Sequence, residues 1–492
     1  MVADRAGDLG PVLTRTTPDL VIDAAGPFQG SDYRVPLACL RTRIPYLDLA
    51  DARGFVTGVG ALDAAAREAG VAVVAGASSV PALSGAVARE LATTLDQVFS
   101  IEIAISASKR ATAGGSVVAA ILSYLGRPIK LWRGRRWDEG FGWQELARER
   151  FELDDGTTLG GRFVALADVP DLDLLPEMLP GRPAVLFRAG TESALQTVGL
   201  WLLGWPVRWL QLDGMARLVP VLVFLQRLTQ NFSSDRSGMY VRLKGEANGA
   251  RLERQWTLIA TKGDGPHIPT LAAAILSESI LAGKVAAGAQ PAHRLLTLAE
   301  FEPLFAGLSL RHQVAERKLQ PSLYARVMGQ RFAALPPAVR QMHEVCGDSG
   351  ASGEAIVTGA RTALAKLVAR LMRFPRAGKY PLHVAFSECD GVERWSRHFG
   401  EQVFSSRLRE GDGHVVERFG PLRFTFDLAS CPKGLEMHMR SWSVIGIPLP
   451  LALAPRGVAR EWEEGGRFHF DVPIALPLIG TVVHYTGWLE RK

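Results

Sequence analysis

The chain has 492 residues, 47% of them hydrophobic and 22% charged, a composition that suits two or three globular domains with ample core. The net charge of +6 is mild and spread through all segments. Without a nucleic-acid-binding motif it argues against nucleic acid as a partner, and it favours anionic small ligands or an anionic membrane surface.

Cys39, Cys346, Cys389 and Cys431 lie far apart with no C-x-x-C pair. A disulfide framework is therefore not expected, and a reduced, cytoplasmic setting is. Met1 is followed by acidic and small residues, so no secretory leader is expected.

Residues 1–17 are polar, with room for one helical turn. Three short apolar runs follow, Pro18–Phe28, Tyr46–Asp51 and Gly76–Ser84, each ending in small residues and a polar turn. Helical stretches at Val35–Arg43 and Leu62–Gly70 separate them. This β-α-β-α-β rhythm predicts parallel strands covered on both faces, half of a doubly wound sheet whose strand ends open on a crevice. At those ends stand Gly26, Pro27 and Phe28, then Asp48 and Asp51, then Ser78 and Ser79. The Gly-Pro turn leaves backbone N–H groups free at the crevice or is a plain strand-to-helix turn. Asp48 and Asp51 can hold a ribose hydroxyl or cap the next helix. Ser78 and Ser79 open a helix whose N-terminus favours anions, or are an ordinary cap.

Asp23-Ala-Ala-Gly-Pro-Phe28, Tyr46-Leu-Asp-Leu-Ala-Asp51 and Gly76-Ala-Ser-Ser-Val-Pro81 together resemble the NAD(P)-binding domain of saccharopine-dehydrogenase-like oxidoreductases. The likeness continues more loosely to about residue 303. It implies an NAD(P) cofactor held by Gly26, Pro27, Phe28, Asp48, Asp51, Ser78 and Ser79, with hydride transfer to a small-molecule substrate. That family opens with a strand, a glycine-rich turn and a helix, which nothing upstream of Pro18 supplies. Cofactor binding is therefore expected to be impaired in the chain as numbered, unless the true start codon lies upstream.

Phe99–Ser106 alternates as a strand, and Ala111–Leu125 reads as a small-residue helix opened by Thr112-Ala-Gly-Gly-Ser116. The Arg133–Arg136 cluster reads as solvated loop charge or a phosphate contact. Phe163–Pro183 reads as a strand followed by loops. Ser193–Leu228 is the most apolar part of the chain. Its longest uncharged run, Ser193–Val207, is too short to span a bilayer. Buried interdomain or homodimer-interface helices, or a peripheral membrane contact through Trp201, Trp205 and Trp209, remain open for 193–228. Tyr240–Ala247 and Leu252–Thr261 form a hairpin across Asn248-Gly249. Lys262–Pro269 leads into a helix, and Leu296–Phe301 is a capping-type helix start. His267 at that helix entry is weighed as a base or as a structural residue.

Residues 312–334, rich in Arg and Gln, read as a partly helical linker. Beyond Leu335 the pattern turns to alternating strands such as Arg423–Leu428, Leu435–Arg440 and Arg467–Val472, with Gly- and Pro-marked turns between them. Ile447-Pro-Leu-Pro-Leu451 is too proline-rich for a central strand. Phe419–Phe424, Gly446–Pro450, Phe468–Val472 and His484–Trp488 resemble a domain of unknown function found behind saccharopine-dehydrogenase-like modules. Phe424, Phe426, Phe468 and Phe470 fall on one face of each strand, either a filled core or an apolar ligand cavity. Seven of the ten histidines lie after residue 340, with no metal-ligand spacing, so no metal is expected.

The expected fold class is α/β plus α+β. An incomplete Rossmann-like domain (1–97) is followed by a second α/β, substrate-type domain (98–311), the linker (312–334) and a mostly antiparallel β domain (335–492). The expected function is a saccharopine-dehydrogenase-like NAD(P)-dependent oxidoreductase of unknown substrate. The alternative is a non-catalytic binder of an apolar, lipid-like ligand on a degenerate oxidoreductase scaffold.

Overall fold

The computed structural model describes residues 4–5, 7–108, 115–212, 214–228 and 235–492. The chain divides into two compact units. The first comprises residues 1–132, 138–248 and 252–317; the second comprises 133–137, 249–251 and 318–492.

In the first unit, β1 (Val21–Asp23), β2 (Tyr46–Asp48) and β3 (Ala72–Ala75) lie side by side and parallel. Helices Arg34–Thr42 and Asp63–Ala69 make the crossovers. β2 and β3 are buried throughout, which explains their unbroken apolar reading. The next strands are β4 (Gln97–Ala107), β5 (Pro128–Arg133), β6 (Arg136–Phe141), β7 (Ala147–Glu152), β8 (Thr158–Leu166) and β9 (Ala184–Thr191). After these come β10 (Ser237–Ala247), β11 (Ala250–Ala260), β12 (Gly288–Pro291) and β13 (Leu310–Lys318). β12 joins β3 in parallel and completes the order β1-β2-β3-β12. The parallel sheet and the mixed α/β class are thus present. Four strands in one order do not themselves make a doubly wound Rossmann sheet.

A larger mixed sheet runs β13-β11-β10-β4-β9-β8-β7, with β4 and β9 parallel. The hairpin turns at Asn248-Gly249, both at positive φ. Thr297 and Glu300 form the reciprocal capping box that their spacing predicts.

Two local expectations are corrected. Residues 310–318, the last seven of them in the expected linker (312–334), form edge strand β13. Its outer half is exposed on both faces, so no apolar alternation marks it. The loops expected after Phe163 include a helix, Asp171–Met178, whose first-turn acids suit the helix dipole despite Pro176. The helix expected over 111–125 is present as Gly115–Tyr124, and residues 109–114 lie outside the described ones.

The apolar stretch forms helices Ala194–Leu210 and Val219–Leu228. Trp201, Trp205 and Trp209 follow one another along one face, with ring centroids 6.2 and 5.2 Å apart. Among the described residues no helix is long and apolar enough to cross a membrane.

The second unit begins with short helices, Leu323–Met328, Gln330–Ala333 and Pro337–His343. Its strands are β14 (Asp348–Gly359), β15 (Gly378–Cys389), β16 (Val392–Phe399), β17 (Gln402–Gly411), β18 (His414–Phe419), β19 (Leu422–Cys431) and β20 (Gly434–Val444). They continue with β21 (Ile447–Leu449), β22 (Ala459–Glu464), β23 (Arg467–Leu476) and β24 (Gly480–Arg491). The order is β19-β18-β17-β16-β15-β14-β24-β23-β22-β20-β21, and β19 pairs again with β20. Ten strands therefore close into an antiparallel barrel that leaves no edge among them, and β21 hangs on β20. Pro448 stands in that appended strand, where a missing N–H costs no central ladder bond.

Candidate functional site

Two places bear on function: the strand ends of the parallel sheet and the barrel interior.

β1, β2 and β3 end at Asp23, Asp48 and Ala75, so the loops carrying the expected cofactor residues share one sheet edge. Gly26, Pro27 and Asp51 are exposed there, and Asp51 accepts a hydrogen bond from Gln29 at 3.1 Å. The other four are turned inward. Phe28 is buried against Phe55, ring centroids 5.3 Å apart, and Ser78 and Ser79 are buried. Asp48 is fully buried, and its Oδ1 accepts from Gly76 N (2.7 Å) and Ala50 N (2.9 Å). Burial pushes its carboxyl up to about 7. Asp48 thus tethers its own loop. A dinucleotide at this edge would meet Gly26, Pro27 and Asp51 directly, and would reach the other four only if the loops rearranged. Asp23, which sequence reasoning passed over, is the buried partner of Arg5, Nη2 to Oδ2 2.9 Å.

The barrel encloses a cavity of about 210 Å³. Strand alternation aims one parity inward, so Phe424 and Phe426 of β19 face it together with Phe468 and Phe470 of β23. The two phenylalanine faces picked from the sequence therefore meet across one space. One end of that space is floored by Tyr324 and Trp395. At the other end lie Val368 and Met372, on and just after helix Ala363–Leu371, with Phe374, the 455–457 segment and Leu476.

Two charged side chains interrupt the apolar wall midway. Arg397 of β16 donates to Ser406 Oγ at 2.9 Å and lies 3.8 Å from Glu417 of β18. Its guanidinium is 5.4 Å from the Trp395 ring centroid and 5.5 Å from that of Phe404. A cation held between aromatic faces and one carboxylate can accept an anionic group in exchange for part of the Glu417 contact.

The floor carries a second polar cluster. His343 is fully buried, with Nε2 2.6 Å from Glu461 Oε2, and its ring stacks on Tyr324 at 3.7 Å. Burial raises the Tyr324 phenol well above its usual value and, less strongly, the Glu393 carboxyl, which accepts from Trp395 Nε1 at 3.0 Å. Tyr324 and Glu461 both reach the cavity wall.

None of these charged residues was singled out from the sequence. The signal was present as parity: Arg397 stands between Trp395 and Phe399, and Glu417 between Val415 and Phe419, at positions where alternation calls for an apolar residue. His438 and His469 lie on the outer face, His438 3.0 Å from Glu436 and His469 stacked on Trp462. Among the described residues no group of His, Cys, Asp or Glu could hold a metal ion.

Fold and cavity together define the class: an α/β chain with a C-terminal antiparallel barrel around an apolar space. Residues 335–489 match the family described as a domain of unknown function, DUF4166. No curated protein sequence matches the chain significantly. Among the solved structures that match, three illustrate how weak the likeness is. Rv2717c from M. tuberculosis is 14% identical over 32% of this chain and 99% of its own, TM-score 0.20. An amine dehydrogenase from Mycobacterium smegmatis is 11% identical over 58% of this chain and 78% of its own, TM-score 0.29. A protein of unknown function from the DUF3598 family of Nostoc punctiforme is 11% identical over 52% and 88%, TM-score 0.21. At such scores none carries an argument about this chain.

Proposed function

We propose that the C-terminal barrel is a binding domain for a single-chain apolar molecule with an anionic head, such as a fatty acid. The observation that carries the reading is Arg397, set midway along a cavity otherwise walled mainly by Phe, Leu and Met. A few placed polar groups in an apolar space give a ligand its orientation, while the apolar wall supplies affinity. Burying about twelve methylenes yields roughly 10 kcal/mol; association costs of at least about 4 kcal/mol leave about 6 kcal/mol, tens of micromolar, to which the head-group contact adds. Titration of the full chain with a dansylated undecanoic acid, followed by displacement with palmitic acid, tests it. Saturable, displaceable fluorescence at one probe per chain supports the reading; a linear, non-displaceable signal overturns it.

A second reading concerns the first unit: a saccharopine-dehydrogenase-like, NAD(P)-dependent oxidoreductase. The parallel order of β1, β2 and β3, with Gly26, Pro27 and Asp51 exposed at their ends, favours it. Such a group would supply hydride chemistry, and these three residues would hold its edge. Calorimetric titration with NADPH and NADH decides. A dissociation constant near micromolar, weakened by Gly26→Val, supports the reading; no binding below about millimolar removes it.

A further inference from the structure

Helix Ala363–Leu371 carries Leu364, Leu367 and Leu371 on one outward stripe. Its opposite side contributes buried Ala365, and Val368 beside it faces the cavity. The pattern repeats in two other segments at the same end of the barrel. Leu451 and Leu453 are exposed just before cavity-lining Pro455 and Arg456, and Leu478 is exposed just after cavity-lining Leu476. Backbone bonds between Arg456 and Ala475 tie the second segment to the third, and Thr362 Oγ1 donates to Ile479 O at 2.9 Å, tying the helix to it. These six leucines are all at least 52% exposed, and Leu478 is completely so. Scattered single exposed leucines are ordinary; six on three linked segments rimming one cavity form a patch.

The charge along the helical segment has one sign. Arg361, Lys366, Arg370, Arg373 and Arg376 lie on or next to the helix, and no Asp or Glu occurs from 355 to 387. Lys366 and Arg370 flank the leucine stripe at helical spacing, away from buried Ala365. A short helix with leucines on its outward face and cations at their border lies in the interface of an anionic bilayer, with the cations among the headgroups.

We propose that this rim is a docking face for an anionic phospholipid bilayer, and that the cavity exchanges its ligand with the membrane there. The exchange step rests on the lipid-binding reading above; the docking does not. The rim brings lining residues Val368, Met372 and Leu476 within one or two positions of leucines that enter the bilayer. An acyl chain leaving the lipid phase passes from one apolar surface to the next.

The test is co-sedimentation of the full chain with phosphatidylcholine vesicles, with or without about a third phosphatidylglycerol. The expected result is association with the anionic vesicles, lost at high salt. The double variant Leu367→Ser/Leu371→Ser and the charge variant Lys366→Glu/Arg370→Glu each reduce partitioning about tenfold. Both sets of side chains are exposed, so an unchanged melting temperature and unchanged uptake of the dansylated probe without vesicles confirm an intact fold and cavity. The tryptophan face of the first unit is a rival surface, and Trp209→Ser separates the two. Partitioning that survives both rim variants, or that Trp209→Ser alone abolishes, overturns the proposal. So does failure to bind anionic vesicles while the probe is still taken up, which leaves the lipid-binding reading intact. Vesicle binding that depends on the rim, with no probe uptake, supports docking and removes the lipid-binding reading and the exchange step.

Discussion

Arg397 and Glu417 approach to 3.8 Å inside the barrel, from strands β16 and β18 that flank β17. The separation is too long for a strong hydrogen bond, so the guanidinium keeps donor capacity that a ligand can take up. Two variants separate its roles. Arg397→Gln should weaken binding of a fatty acid about tenfold, or about 1.4 kcal/mol, and hardly affect the matching fatty alcohol. Glu417→Gln removes the competing carboxylate and should strengthen fatty-acid binding. Equal losses for acid and alcohol in Arg397→Gln would place the head elsewhere.

The four inward phenylalanines are not equivalent. Phe468 and Phe470 are buried, whereas Phe424 and Phe426 are half-buried along the cavity. Phe468→Ala should cost about 3–5 kcal/mol of stability, because it opens a packed site. Phe426→Ala enlarges a space that already exists and should cost about half as much, with a clear loss of probe affinity. Chemical denaturation of each variant, together with probe titration, checks the ranking.

Asp48 and Asp171 are both buried, and burial lifts each carboxyl from the usual 3.8 to about 7. The Ser84 hydroxyl donates to Asp171 and only partly offsets this. Between about pH 4 and 7 the folded chain keeps protons that the unfolded chain has released, so this contribution to stability falls as pH rises through that window. Asp171→Asn cannot ionise. Its stability relative to wild type should therefore improve from pH 5 to pH 8, by roughly 2.5 kcal/mol. A wild-type-to-variant difference that is the same at both values contradicts the assignment.

Gly76 and Gly26 both end strands of the parallel sheet, yet only one is required by the backbone. Gly76 has φ +80°, and an added Cβ would lie 2.7 Å from Pro81 Cδ. At Gly26 the nearest atoms would be 3.6 and 3.9 Å away. Gly76→Ala should destabilise by about 2 kcal/mol or more, and Gly26→Ala by less than about 0.5 kcal/mol. Thermal melting of the two variants reads the contrast directly.

What the sequence disclosed follows from which faces are wet. β2 and β3, covered on both sides, read as unbroken apolar runs, and β19 and β23 read as alternating ones. β13 left no trace, since an edge strand exposed over most of its length has no pattern to show. Closure of the barrel through β19 and β20 depends on pairing across strand neighbours that local periodicity does not encode. From the sequence Asp48 stands open between a ribose contact and a helix cap, because a strand-end carboxylate can serve as either. Here the Gly76 and Ala50 amides had already engaged it. Arg397 and Glu417 could have been found by asking which charged residues break the inward parity; that question needs the strand boundaries first.

The most direct measurement of the central claim is native mass spectrometry of the full chain incubated with palmitic acid, wild type against Val384→Trp. Val384 lines the cavity beside Arg397, its register partner on the adjacent strand, and a tryptophan there fills the space while remaining apolar. The account predicts one palmitate bound per wild-type chain and none per folded variant. An adduct of equal abundance in both proteins, or none in wild type, would contradict it.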